Sequence, residues 1–155
     1  MRGQLQSGGW GYFVEFDPAE RKKLAFREDG HASGRNVTTL DDDTTQAALR
    51  FLMRTDSALG FTDGKIHEAV HYALTNLLQA QYPNGAWPQG FSGPPDPAKF
   101  PVKKAAYPES WSRTWPGSQN YHQRYTLNDN ALATTIETMF EAHRIYGRAA
   151  PGNDF

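Results

Sequence analysis

Two acidic clusters contain the residue types in this sequence best suited to chemistry. LDDDTT supplies Asp41, Asp42 and Asp43, and LNDNAL supplies Asp129 between two asparagines. Carboxylate and amide oxygens suit a hard cation such as calcium, which takes about six to eight oxygen ligands. Asp and Asn are also the preferred N-caps of helices, and each cluster stands where a helix should begin. One cap needs only one side chain, so the surplus carboxylates favour a metal or catalytic site.

A different metal is suggested by HEAVH, from His67 to His71. On a helix, H-E-x-x-H places two imidazoles one turn apart for zinc, with Glu68 as a general base. The segment continues with Leu74 and Leu77 where the longer form of this motif has Gly and a third His. We therefore interpret His67 and His71 as helix-surface residues, and a zinc hydrolase is an alternative function.

A long loop between residues 99 and 125 mixes aromatic rings with Lys and Arg. Rings can pack on sugars, and arginine pairs with a carboxylate through two parallel hydrogen bonds. The same mixture suits single-stranded nucleic acid, but sixteen Lys plus Arg against seventeen Asp plus Glu leave a net charge of -1. We expect an acidic polysaccharide as partner and no nucleic acid. The predicted substrate-binding residues are Lys104, Trp111, Arg113, Trp115, Tyr121 and Arg124.

Three segments have the apolar spacing of amphipathic helices. They are residues 43–54, 63–81 and 128–147. In the first, Asp43 followed by Gln46 has the pattern of a capping box, and Gly60 marks the stop. The short turn before the second helix predicts an antiparallel helical hairpin. The only candidate strand, a weak one, is WGYFVEF at residues 10–16.

The elements repeat along the chain. QLQSGGW matches QAQYPNGAW, and TLDDDTTQAALRFL from Thr39 matches TLNDNALATTIETM from Thr126, so that Asp42 corresponds to Asp129. Such units are typical of helical hairpins stacked around an axis, which places equivalent turns at the same end. We therefore predict an all-α fold in which the two acidic clusters converge. Because about three or more copies are needed to bury their faces, we expect the chain to be part of a longer protein.

The composition narrows the function further. There is no cysteine, which excludes disulfides and thiolate metal sites. No apolar run reaches membrane-spanning length, so we expect no membrane partner. The oligomeric state stays open.

The segments SGGW, LDDDTTQAALRFL, QYPNGAWPQ and YTLNDNALATTIETMFEA together resemble the pectate lyases of polysaccharide lyase family 10. The resemblance implies an (α/α) toroid, of which residues 1–155 are a single partial domain, and a secreted or periplasmic location. It also implies cleavage of polygalacturonate by calcium-dependent β-elimination, with Asp41 and Asp129 at catalytic positions. Calcium would be held by Asp41, Asp42 and Asp129.

The arginine base of this family lies in a C-terminal region that has no counterpart in this sequence. Arg113 and Arg124 are therefore assigned to uronate binding rather than to proton removal. A polysaccharide-binding module that lacks catalysis is the second alternative function.

Overall fold

The structure is a computed structural model that describes residues 1–30, 33–99, 121–123, 127 and 129–147. Its helices are α1 (Pro18–Arg21), α2 (Thr44–Ala58), α3 (Gly64–Gln79) and α4 (Ala131–Tyr146), with 3-10 turns at Asp41–Asp43 and Tyr121–Gln123. Two short strands, β1 (Thr38–Thr39) and β2 (Gly90–Phe91), pair antiparallel. The described chain is mostly helical, as predicted. None of its helices is both long and apolar enough to cross a membrane.

The three long helices form where apolar residues recur every three or four positions. In α3 this spacing buries Val70, Ala73, Leu74 and Leu77 along one face. The helix begins after Asp63, whose carboxylate accepts hydrogen bonds from the first free backbone N–H groups, at 3.0 and 3.1 Å. Helix α2 packs against both α3 and α4, so it is the central element of the core.

The Gly-Trp turns of the two repeats complete the core from outside the helices. Trp10 and Trp87 are both buried, and the indole N–H of Trp87 donates to the carbonyl of Leu77 at 2.8 Å. Gly8 has a φ of 107°, and a Cβ there would lie 2.3 Å from the side chain of Asn76. Glycine is therefore required where this turn crosses α3.

Polar side chains on one face of α2 tie it to α4. The amide of the fully buried Gln46 donates to Thr134 Oγ1 at 3.0 Å and to the Leu40 carbonyl at 2.7 Å. One turn later, Arg50 donates to Thr138 Oγ1 at 2.9 Å. The predicted capping box is wrong, because Gln46 links the starts of the two repeats instead of capping its own helix.

The predicted strand at residues 10–16 is also wrong. Tyr12, Phe13 and Phe16 are all largely exposed, so the segment lacks the alternation between core and solvent that a sheet requires. One backbone bond, from Thr39 to the Trp10 carbonyl, joins it to β1. It lies as an irregular segment beside the acidic turn.

Candidate functional site

The two acidic turns have the same unusual backbone. Asp42 and Asp43 have φ of 49° and 59°, and the corresponding Asp129 and Asn130 have 52° and 54°. Left-handed conformation costs a residue other than glycine roughly 1–2 kcal/mol, although Asp and Asn tolerate it best. Each pair directly precedes a long helix, α2 or α4. The internal repeat is thus present in the backbone as well as in the sequence, and strain of this kind is common at functional sites.

Helix capping does not account for these clusters. Asp43 and Asn130 occupy the N-cap positions, but neither side chain makes a capping hydrogen bond. Asp43 instead accepts from the Arg50 guanidinium at 2.5 Å, while its other oxygen is buried and has no hydrogen-bond partner among the described residues. Asp43 therefore occupies the predicted N-cap position, but the prediction that its side chain caps the helix is wrong.

One buried amide joins the two repeats at these turns. Gln89 Nε2 donates to Asp41 Oδ1 at 3.3 Å and to Asp129 Oδ2 at 3.2 Å. Gln89 is 3% exposed and precedes β2, and its carbonyl accepts from the Leu40 backbone at 2.7 Å. Pairing of β1 with β2 therefore fixes Gln89 beside the acidic turn. We call Asp41, Gln89 and Asp129 the carboxylate bridge.

Neutral groups provide every hydrogen bond that Asp41 accepts within the described chain. Besides the Gln89 amide, the Tyr12 hydroxyl donates to Asp41 Oδ2 at 2.7 Å, and the Asp42 backbone N–H donates to Oδ1 at 3.2 Å. Burial and the bond to Asp41 raise the pKa of Tyr12 above its usual value, so the hydroxyl stays protonated as a donor. Within the described residues, no cation pairs directly with Asp41.

The carboxylate oxygens of Asp41 and Asp129 are the hard ligands that calcium prefers, whereas Gln89 presents its amide nitrogen, a donor, to them. The described residues hold no group of three or more His, Asp or Glu side chains that could bind a metal ion. The structure brings Asp41 and Asp129 together on Gln89, whereas Asp42 contacts Asp41 through its backbone N–H rather than through its carboxylate. Calcium at Asp41, Asp42 and Asp129 stays a prediction, and the ion would need further oxygens from backbone, water or substrate.

A pocket of about 190 Å³ lies beside the carboxylate bridge. Its polar lining consists of Tyr12, Arg35, Thr39, Asp41, Gln89 and His122, and its apolar lining includes Phe13, Leu24 and Val37. Tyr12, Arg35 and Gln89 are site residues that were not predicted from the sequence. Gln89 lies within QYPNGAWPQ, a segment that carries the family resemblance, but no local pattern distinguishes its amide from other glutamines.

Most of the predicted sugar-binding residues lie outside the described chain. These are Lys104, Trp111, Arg113, Trp115 and Arg124, which belong to the aromatic loop. Tyr121 begins the 3-10 turn Tyr121–Gln123, whose last carbonyl accepts a hydrogen bond from the Tyr82 hydroxyl. The substrate-binding roles of all six residues stay predictions.

The HEAVH segment forms a packing cluster between three helices. His67 Nδ1 lies 2.8 Å from Oδ2 of the buried Asp56, and the Tyr146 hydroxyl donates to the same oxygen at 2.8 Å. The rings of His67 and His71 are in contact, with centroids 4.3 Å apart and planes tilted by 51°, and Glu68 pairs with Arg27. The interpretation of the histidines as helix-surface residues is wrong, since both are half-buried against Tyr146.

The same contacts weigh against zinc. His67 directs one ring nitrogen at Asp56, and Glu68 is paired with a guanidinium, so it is not free to act as a general base on a bound water. Burial, followed by the nearby His67, lowers the pKa of His71, which favours its neutral form. The cluster joins the ends of α2, α3 and α4.

Comparison with known families gives one match. Residues 4–100 match the family model described as pectic acid lyase, which is more than half of the chain. The matched region includes Tyr12, Arg35, Asp41 and Gln89, whereas Asp129 lies beyond it. Comparisons with curated proteins and with solved structures give no match. The chain therefore belongs to the pectic acid lyase family.

Proposed function

We propose that the chain acts on polygalacturonate as a pectate lyase, by calcium-assisted β-elimination, within a helical toroid. The observation that carries this proposal is the carboxylate bridge, in which Asp41 and Asp129 share the Gln89 amide beside a pocket. Family membership supports a lyase acting on pectic acid. The two carboxylates come from equivalent turns of two repeats, which agrees with a site built at one end of stacked hairpins.

The reaction requires removal of the proton on the carbon next to the uronate carboxylate, and the resulting charge spreads onto that carboxylate. A bound calcium ion would stabilise this charge and orient the sugar. Asp41 and Asp129 would hold the ion, while Tyr12 and Gln89 fix the orientation of the carboxylates through hydrogen bonds. Preorganised carboxylates reduce the reorganisation that binding otherwise requires.

The base that removes the proton is not assigned to a described residue. A guanidinium has a pKa above about 12, so an arginine base requires surroundings that favour its neutral form. An isolated chain without such a base would bind polygalacturonate without cleaving it. This outcome would identify the chain as a polysaccharide-binding module.

The test measures unsaturated uronide by absorbance, using polygalacturonate with calcium or with a chelator. Where a base is present, product formation should require calcium and fall at least tenfold in Asp41→Asn and in Asp129→Asn, and a chain that lacks the base should form no product. Glu137→Gln on the exposed side of α4 removes the same charge away from the bridge and is the matched control. Product formation that is equal in all three variants and insensitive to chelator would refute the proposed mechanism.

A further inference from the structure

Arg35 stands on a firmly held backbone at the edge of the pocket. Its N–H donates to the Lys23 carbonyl at 2.8 Å, and its own carbonyl accepts from Ala25 at 3.1 Å. The preceding Gly34 lies so close to this segment that a Cβ would be 2.4 Å from the Leu24 carbonyl carbon. The backbone at Arg35 is therefore fixed from both sides, which gives its long side chain a defined origin.

The charge of Arg35 has no counterpart in the described chain. Five other arginines face a carboxylate, namely Arg2, Arg21, Arg27, Arg50 and Arg54. Arg35 is exposed, and within the described residues it makes no side-chain hydrogen bond or ion pair. It nevertheless lines the same pocket as Asp41. A cation without a partner beside a pocket is suited to an anionic group supplied by a ligand.

The other residues that line the pocket indicate what kind of molecule carries the anionic group. Phe13 and Tyr12 present largely exposed rings, and Leu24 and Val37 add aliphatic surface. The apolar face of a sugar ring can pack on such a wall while its substituents reach polar groups. A neutral sugar would leave Arg35 unpaired.

We propose that this pocket binds one galacturonate unit of the substrate, with Arg35 pairing with the carboxylate of that unit, and so selects the free acid over its methyl ester. This inference rests on the proposed function and specifies its substrate recognition. Arginine forms two parallel hydrogen bonds with a carboxylate, whereas an ester offers no negative charge to pair with. Arg35 is a binding residue here, and it takes no part in moving the proton.

The experiment compares Arg35→Gln with wild type by calorimetric titration against oligogalacturonate and its fully methyl-esterified form. We expect the variant to bind the free acid roughly tenfold or more weakly, the effect of losing a charge-assisted pair, and to bind the ester as wild type does. Arg144→Gln, which removes the same charge from an exposed position on α4 outside the pocket, should leave both affinities unchanged. Arg35→Lys should recover only part of the loss.

The titrations are repeated with chelator, because the contribution of Arg35 does not require a metal ion. Unchanged ester affinity also shows that Arg35→Gln is folded. An unchanged acid-to-ester ratio in Arg35→Gln, or an equal loss in Arg144→Gln, would overturn this inference while the proposed function stands. If wild type binds neither ligand, both the proposed function and the inference are wrong.

Discussion

Replacing Gln89 by glutamate tests the carboxylate bridge with almost no change in shape. The substitution removes the two donated hydrogen bonds and places a third carboxyl between Asp41 and Asp129. The Gln89 nitrogen that an oxygen would replace lies 3.3 Å from Asp41 Oδ1 and 3.2 Å from Asp129 Oδ2. At an effective dielectric constant of about 20, each such pair of charges repels by about 5 kcal/mol. The 3% exposure of Gln89 leaves little solvent to screen this repulsion.

The introduced carboxyl can avoid the full repulsion by keeping its proton. Its pKa in the folded state would rise above the value of about 4.3 that it has in the unfolded chain. Each unit of this rise lowers the free energy of unfolding at neutral pH by about 1.4 kcal/mol. The variant therefore keeps the stability of wild type below the unfolded pKa of the introduced carboxyl, and it loses stability as pH rises through the folded pKa of that carboxyl. We expect a loss of about 2–4 kcal/mol at pH 7 and about 1 kcal/mol or less at pH 4.

Urea unfolding at both pH values measures this difference, and calcium should reverse most of the loss at pH 7. Gln79→Glu makes the same chemical change at an exposed position near the end of α3, and should cost about 0.5 kcal/mol or less at either pH. Equal losses at pH 4 and pH 7, or a loss at pH 7 no larger than that of Gln79→Glu, would refute the placement of Gln89 between two charged carboxylates.

Three further outcomes are expected. Calcium should raise the melting temperature of wild type but not of Asp129→Asn, and zinc should not substitute; a zinc-specific rise abolished by His67→Ala would contradict this assignment. Tyr146→Phe removes one donor from the buried Asp56 and should lower the free energy of unfolding by about 1.5–3 kcal/mol in a urea titration, with unchanged affinity for polygalacturonate. Because the pKa of His71 is lowered in the folded state, stability should fall as pH drops through its unfolded value of 6.5, and this dependence should flatten in His71→Gln when unfolding is followed at pH 7.5 and 5.5.

Local patterns in the sequence were sufficient to predict the three long helices and the repeat. Apolar spacing predicted α2, α3 and α4 because a helix buries residues three and four apart on one face. The match between TLDDD and TLNDN predicted equivalent turns, and Asp42 and Asp129 do share the left-handed backbone. These features depend on residues near one another in the chain, so their physical cause is contained in short segments.

The roles of Gln46 and Gln89 depend on contacts between distant parts of the chain. Gln46 follows Asp43 at the spacing of a capping box, yet its amide bonds to residues 85 to 89 positions away. Burial makes this arrangement preferable, because a buried amide must find partners wherever the fold supplies them. No local spacing encodes those partners.

The carboxylate bridge follows the same rule. The matching segments TLDDD and TLNDN alone were enough to predict two acidic turns at the starts of equivalent helices. Only the packing of α2 against α4, together with the pairing of β1 and β2, decided that Gln89 lies between Asp41 and Asp129 and that Arg35 lines the adjoining pocket. The physical reason is that local propensity sets the conformation of each turn, whereas the side chains that meet across repeats are selected by burial, charge and hydrogen bonding over long separations in the chain.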